Sequence, residues 1–325
     1  MNEQLTLSIE HLRSSFFTLR GEVKAVNDVS LAVPKGKIVG IVGESGCGKS
    51  MTAKSIIGIL KYPGRVVGGS IRLDGQELAG LSDRAMRQIR GRDISMIFQE
   101  PMTSLNPVVK VGKQVQEAVL LHRSITSAEA RQEVLKIFRT VGISEPEKRY
   151  DSYPFQLSGG LRQRVMIAMA MICRPKLLIA DEPTTALDVT IEAQILKLMK
   201  DLSRNTGMSI ILITHNLGVI AELCDFVYVM YAGKIVEQAD TITLFDHPLH
   251  PYMQGLMASV IRLDRDVERL QTIPGVVPNL LHLPAGCAFS NRCPYASDEC
   301  RTQPPVLHDV GSGHLVRCFR GEDDK

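Results

Sequence analysis

An apolar run that breaks into a glycine-rich loop and then turns helix-forming, Ile38 to Thr52 (IVGIVGESGCGKSMT), commits this chain to a strand, a loop and a helix at that point. The loop fits G-x-x-x-x-G-K-[ST], with Gly43, Gly48, Lys49 and Ser50 in the fixed places. Each residue has a chemical reason to be there. Gly43, Gly46 and Gly48 leave room for backbone N–H groups to curl around a phosphate, and a helix beginning near Lys49 aims its unpaired N–H groups and positive dipole end at the same anion. Lys49 is expected to reach the β and γ oxygens and the Ser50 hydroxyl to ligate Mg²⁺. Glu44, Ser45, Cys47 and Met51 complete the expected nucleotide-contacting stretch, with Cys47 as a small filler that has no nucleophilic role. An accidental glycine-rich turn is the bland alternative, and the preceding KIVGIV run argues against it by supplying the required strand.

At 325 residues the chain has room for about two domains. Its 44% hydrophobic and 22% charged residues suit a globular protein with an ample core. A net charge of +3 is too small to argue for nucleic acid as a partner. The basic cluster Arg84 to Arg92 reads as a solvated helix face. The N-terminal MNEQLTLSIEHLRSS has no apolar signal segment, and no apolar run reaches the roughly 18 to 20 residues of a membrane span, so any link to a membrane goes through other proteins. Seven cysteines in a phosphate-loop protein without an export signal point to a reducing compartment.

Apolar and polar residues alternate in LTLSIEHL and AVNDVSLAV, which predicts an initial small sheet. Arg65 to Leu73 reads as another strand ending in the Asp74–Gly75 turn, and Asp93 to Gln99 as a buried strand after a helical stretch, Ser82 to Arg90. Residues 106 to 150 change to helical spacing. There Thr126 and Glu129 form a capping box, and Val134, Leu135, Ile137, Phe138 and Val141 make one apolar stripe, read as core packing. From 157 to 235 strands and helices alternate, which implies a mainly parallel sheet with ligands at the carboxyl ends of its strands. Beyond Ala239 the many prolines predict a loop-rich tail.

Four further motifs follow the phosphate loop. LLIADE, Leu177 to Glu182, is a strand ending in two carboxylates: Asp181 suits a Mg²⁺ contact, and Glu182 can act as general base on an attacking water. In LSGGLRQR, Leu157 to Arg164, Ser158, Gly159 and Gly160 begin a helix and offer a second anion-binding surface. Gln99 and His215 each follow an apolar strand, where a γ-phosphate or attacking water would lie. Taken singly, an acidic turn, a lone Gln or a lone His is more often structural. Their order behind a phosphate loop reverses that weighting.

In that order the chain resembles the ATP-binding cassette ATPases over about residues 5 to 238, through the phosphate loop, Gln99, LSGGLRQR, LLIADEPT, the ALD of Ala186 to Asp188, and His215. LSGG is the specific element. The resemblance implies an α/β fold: a RecA-like parallel-sheet core with an N-terminal antiparallel β subdomain and a helical insertion near 106–160, the whole forming a domain over 1–238. It also implies that two cassettes close head to tail, each ATP lying between one phosphate loop and the partner's LSGG, with Asp188 at the seam. On the same resemblance Lys49, Gln99, Glu182 and His215 are the catalytic set, Gln163 is a nucleotide contact, and Ser50, Gln99 and Asp181 hold Mg²⁺. An upstream aromatic is implied to stack on adenine. Phe16 fits the family spacing best, with Phe17 the alternative and an ordinary core phenylalanine the bland reading.

KAVNDVSL, FQEPMTSLNP, the YP before QLSGG, HPLHPYMQGL and the tail IPGVVP…LPAGCAFSNRCPYASDEC extend the resemblance, over essentially the whole chain, to the ATP-binding subunits of dipeptide and oligopeptide importers. Phe155, Leu161 and Met253 stand where that group usually has His, Met and Thr, and none is at a catalytic position. Importers of nickel, opines or glutathione share most of these features and are the alternatives. The implied partners are a second ATPase subunit, identical or not, two integral-membrane permeases and an extracytoplasmic solute-binding protein. The implied location is peripheral, on the cytoplasmic face of the inner membrane. A soluble cassette ATPase acting on ribosomes or DNA is the rival class. Such chains usually carry two cassettes or a long coiled-coil insertion, and this one has neither.

Residues 239–325 form an expected C-terminal extension in which Cys287, Cys293, Cys300 and Cys318 stand as C-x5-C-x6-C-x17-C. That spacing matches neither zinc ribbons nor bacterial ferredoxins, yet four thiolates can hold a [4Fe–4S] cluster or a tetrahedral Zn²⁺ and so order a loop-rich tail. Importer subunits with this tail pattern resemble proteins carrying [4Fe–4S], which makes the cluster the expectation. Zn²⁺, with His308 or His314 replacing one thiolate, and free buried thiols are the alternatives. A redox role for the tail is a further rival.

Overall fold

The computed structural model describes residues 4–99, 104–184, 189–259 and 272–320. In chain order the strands are β1 (Leu5–Thr18), β2 (Gly21–Pro34), β3 (Ile38–Val42), β4 (Gly64–Leu73), β5 (Gln76–Glu77), β6 (Ile94–Ile97), β7 (Leu177–Asp181), β8 (Ser209–Ile213), β9 (Phe226–Tyr231), β10 (Lys234–Asp240), β11 (His308–Asp309) and β12 (Leu315–Val316). The helices are α1 (Lys49–Ile56), α2 (Asp83–Ile89), α3 (Val111–Leu120), α4 (Ser127–Thr140), α5 (Pro146–Tyr150), α6 (Gly159–Met171), α7 (Val189–Thr206), α8 (Leu217–Leu223), α9 (Thr241–Asp246), α10 (Pro251–Ala258) and α11 (Asp298–Thr302). The chain divides into two compact units. One comprises Met1–Thr6, Val33–Lys37 and Gly80–Leu212, the other Leu7–Ala32, Ile38–Ala79 and Ile213–Lys325.

The second unit holds an antiparallel sheet in the order β2-β1-β4-β5, with Leu7 opposite Leu73 and Ile9 opposite Ile71. Alternation buries Leu7 and Ile9 on one face. It steps at His11, where the backbone turns left-handed (φ 51°) and the β1–β4 register shifts between Glu10 and Arg13. The same unit carries β3 parallel to β9, Val39 opposite Phe226, and β9, β10, β12 and β11 follow one another antiparallel. Every residue of β3 is buried, as a parallel strand covered on both faces requires.

A fully buried carboxylate, Glu237 on β10, ties the segment after residue 240 to this unit. It accepts from the backbone N–H groups of Leu249 at 2.7 Å and His250 at 2.9 Å and pairs with His314 Nε2 at 2.8 Å. The helices α9, α10 and α11 lie in the stretch expected to be loop-rich. Each is eight residues or fewer, too short to reveal a helical period in the sequence.

In the first unit β8, β7 and β6 are neighbours in that order, with β6 and β7 parallel and Ile94 opposite Leu177. All three are buried end to end. The expected helical stretch is α3, α4 and α5. Helices α3 and α4 pack on each other and on α6, and between them they bury Val111, Val115, Val119, Val134, Leu135 and Phe138. The capping box forms as read: Glu129 N–H donates to Thr126 Oγ1 at 3.2 Å, and Thr126 N–H donates to the Glu129 carboxylate at 2.7 Å. Ile137 differs from the other members of its stripe in being half-buried. Among the described residues no helix is long and apolar enough to cross a membrane.

Candidate functional site

The phosphate loop leaves β3 at Gly43 (φ 150°) and enters α1 through Gly48 (φ 114°). Both glycines are obligatory. A Cβ at Gly43 would lie 2.2 Å from the Met230 carbonyl oxygen, and one at Gly48 would lie 2.4 Å from that of Ala25. No side chain caps α1 and its first turn has no acidic residue, so its leading N–H groups and dipole are left for an external anion. Lys49 is buried, its Nζ donating to the Gly43 carbonyl at 2.6 Å and the Glu44 carbonyl at 3.0 Å. Ser45 and Gly46 form the exposed tip, and Ser50 and Met51 are half-buried. Cys47 is fully buried, and burial pushes its thiol up against the opposing pull of Lys49, as suits a filler.

This loop is braced from segments that motif reading missed. Arg292 grips the Glu44 carboxylate with both Nη atoms, at 2.5 and 3.0 Å, and anchors its own fork on the carbonyls of Pro274 and Ile273. The bond to Glu44 holds the Arg292 guanidinium above its ordinary range. Glu44 N–H donates to the Tyr252 hydroxyl at 2.6 Å, and Gly233 N–H donates to the Cys47 carbonyl at 2.8 Å. Beneath them Tyr231 packs on Tyr252 and Phe289, with ring centroids 4.6 and 5.2 Å away. Tyr252 lies in the HPY run already singled out. Arg292 offered no local signal, since it stands 248 residues from its partner.

In the first unit Asp181 ends β7 and is buried, while Gln99 Nε2 donates to Glu182 Oε2 at 2.9 Å. Glu182 adopts a left-handed backbone (φ 48°), a costly conformation for a non-glycine residue that turns its side chain off the strand end. Ser158 caps α6 by accepting from Leu161 N–H at 3.4 Å, and Ser158 and Gly159 are exposed. Gln163 is buried and donates to the Pro183 carbonyl, beside Glu182. Asp188, with Ala186 and Leu187, lies outside the described residues.

His215, in the second unit, is exposed just past β8, and the Asn216 after it caps α8 through the Gly218 N–H at 3.0 Å. Phe16 is half-buried with its ring edge over Gly64. Phe17 is exposed, with the Arg65 guanidinium 4.4 Å from its ring centroid.

The tail cysteines require a correction. Among the described residues no group of three or more His, Cys, Asp or Glu side chains is placed to hold a metal ion. The [4Fe–4S] cluster expected on Cys287, Cys293, Cys300 and Cys318 is therefore withdrawn, and with it the Zn²⁺ alternative. All four are free cysteines of intermediate burial. Burial, with the other three cysteines adding, pushes the Cys287 thiol up to about 11, and burial raises Cys293 and Cys318 as well, so as free side chains they stay protonated thiols. His314 is bonded to Glu237, and His308 is exposed.

A glycine loop moulded for backbone donors, an uncapped helix and a buried lysine in one unit, with a strand-end carboxylate pair and an LSGG-led helix in the other, define a cassette-type ATPase. Residues 26–185 match the family described as ABC transporter and residues 236–300 the oligopeptide/dipeptide transporter C-terminal region, and the chain belongs to the ABC transporter ATPases. It is 50% identical to a probable peptide ABC transporter ATP-binding protein of Sinorhizobium fredii, over 98% of this chain and 96% of the relative. It is 49% identical to the oligopeptide transport ATP-binding protein OppD of Escherichia coli, over 97% and 93%. Among solved structures it resembles a dimeric ATP-binding cassette in a post-hydrolysis state bound to ADP and Pi, with a TM-score of 0.66 and 25% identity over 72% of this chain and 98% of that one. ATP is accordingly the substrate and Mg²⁺ the expected metal, which the loop chemistry fits.

Proposed function

We propose that this chain is the ATP-hydrolysing subunit of an importer of dipeptides and oligopeptides. The observation that carries the ATPase part is that one chain has two phosphate-suited helix N-termini: α1, uncapped behind Gly48, and α6, whose Ser158–Gly159 lead is exposed. A cassette that presents its second anion surface to solvent is completed by another cassette, so the working form is a head-to-tail dimer with an identical or related subunit. The peptide assignment draws on the relatives' descriptions and the match of residues 236–300. Nickel, opine or glutathione import is not favoured by them. The pair would drive two membrane permeases from their cytoplasmic side, supplied by an extracytoplasmic binding protein. We assign 1–238 to the ATPase domain, with its helical part at about 106–160, and 239–325 to the importer-type extension.

Lys49 and the loop N–H groups hold the β and γ phosphates. Ser50, Gln99 and Asp181 would hold Mg²⁺, which would supply positive charge to offset that of the phosphates. Glu182, oriented by Gln99, accepts the proton of the water that attacks the γ-phosphorus as the bond to the ADP oxygen breaks. His215 faces the γ-phosphate and Phe16 stacks on adenine. Gln163 supports the strand-end turn of Glu182, and Asp188 lies at the dimer seam. In the assembled transporter Glu182→Gln should lower ATP turnover by about a hundredfold or more while leaving ATP binding intact. Undiminished turnover removes Glu182 from this role, and a transporter that hydrolyses ATP yet takes up no labelled tripeptide refutes the peptide assignment.

A further inference from the structure

The unit that carries the phosphate loop encloses a cavity of ≈570 Å³ whose charge is unbalanced. Lys24, Lys234 and Arg317 line it. Lys234 is half-buried and its ammonium makes no hydrogen bond or ion pair with a described residue, while Arg317 donates to carbonyls, those of Ile235 at 2.9 Å and Pro305 at 3.3 Å. Asp28, whose charge is felt by Lys234 and Arg317, is engaged by His11 Nδ1 at 2.7 Å. Burial holds Lys234 below the usual lysine range, and Arg317 and Lys24 add to it. Burial also lowers Arg317. Half-buried cations without a dedicated carboxylate cost stability that an incoming anion would restore. With exposed Glu22 in the lining and Asp28 nearby, the three cations leave a single net positive charge, matched by a monoanion. The lining also has apolar residues, Leu281, Leu283, Pro284 and Pro304 among them, and the volume lies in the range of small-molecule sites.

We propose that this cavity binds a small organic carboxylate with an apolar body, the carboxylate on Lys234 and Arg317 and the body against the leucines and prolines of the lining, and that occupancy is felt at the phosphate loop. The coupling runs through backbone. Tyr231, Ala232 and Lys234 line the cavity, and Gly233 between them donates to the Cys47 carbonyl at 2.8 Å and accepts from Asn27 N–H at 2.8 Å. Ala25, one residue on from Lys24, has its carbonyl against Gly48. A ligand that shifts the Ala232–Lys234 turn therefore shifts a carbonyl of the loop itself.

Calorimetric titration of the full chain with octanoate, the dipeptide Leu-Leu, its C-terminal amide and inorganic phosphate tests this. Octanoate or Leu-Leu should bind, about tenfold or more weakly in Lys234→Met and Arg317→Met, and should change ATP affinity by about fivefold or more in the unmodified chain. Octanoate binding marks a free metabolite as the source and Leu-Leu binding a peptide terminus. Exposed Lys24→Met, which keeps the fold, should weaken the same binding severalfold if the Arg317 variant does not fold. Equal binding of the acid and the amide, binding of inorganic phosphate alone, or unchanged affinity in Lys234→Met overturns the site. An ATP affinity indifferent to bound carboxylate overturns the coupling.

Discussion

In the unit with the phosphate loop, Glu44 is held through its carboxylate by Arg292 and through its N–H by Tyr252, and Cys47 is held by Gly233, all from residues beyond 230. In the other unit Gln99, Ser158 and Gly159 stand exposed, and Glu182 meets Gln99 across one hydrogen bond of 2.9 Å. The first arrangement builds the phosphate cradle in advance from the chain's own C-terminal segment. The second leaves Gln99, Ser158 and Gly159, which are proposed to act around the γ-phosphate, at the surface. On the function proposed above, binding would be pre-organised and hydrolysis would wait for assembly.

The contrast can be broken most severely at Glu237. Glu237→Leu leaves His314 and two backbone N–H groups without their acceptor, and urea unfolding should show a loss of about 3–5 kcal/mol. A smaller loss would mean that the C-terminal segment is held by its ring cluster instead. Next in size, Arg292→Met should weaken ATP binding about tenfold or more. Because the two side chains act as a pair, adding Glu44→Gln should weaken it little further. Fluorescent-nucleotide titration of both variants reads this directly.

His250 gives a pH test of the same brace. Burial, helped by the Arg317 charge, lowers its pKa from 6.5 to about 3, so the unfolded chain takes up the proton first as pH falls. Its contribution is fully present above pH 6.5 and declines between about 6.5 and 3, by about 1.4 kcal/mol per pH unit. His250→Asn, which keeps a cap for α10, should flatten that slope in urea midpoints. The smallest stability effect belongs to the open side. Gln99→Ala should shift the unfolding free energy by no more than about 0.5 kcal/mol while slowing turnover in the assembled transporter.

Much of this was legible in residue order. Strand β3, the loop glycines and α1 follow from apolar run, spacing and helix chemistry over fifteen residues, and the Thr126–Glu129 box from four. The short helices α9 to α11 were missed because none spans enough residues to display a period. The cysteines misled for the opposite reason. Crowding along the chain is not a ligand set, because the placement of the side chains decides whether thiols can share an ion, and among the described residues no such group is found.

By itself the sequence determined the main strands and helices before residue 240, the phosphate loop and the order of nucleotide motifs, since those depend on steric and hydrogen-bonding demands among near neighbours. Only the tertiary structure decided that Arg292 grips Glu44, that Glu237 anchors the tail and that three cations line one cavity. Contacts such as Glu237–His314, 77 residues apart, and Glu44–Arg292, 248 apart, arise from how the sheets and helices stack, and no local pattern encodes them.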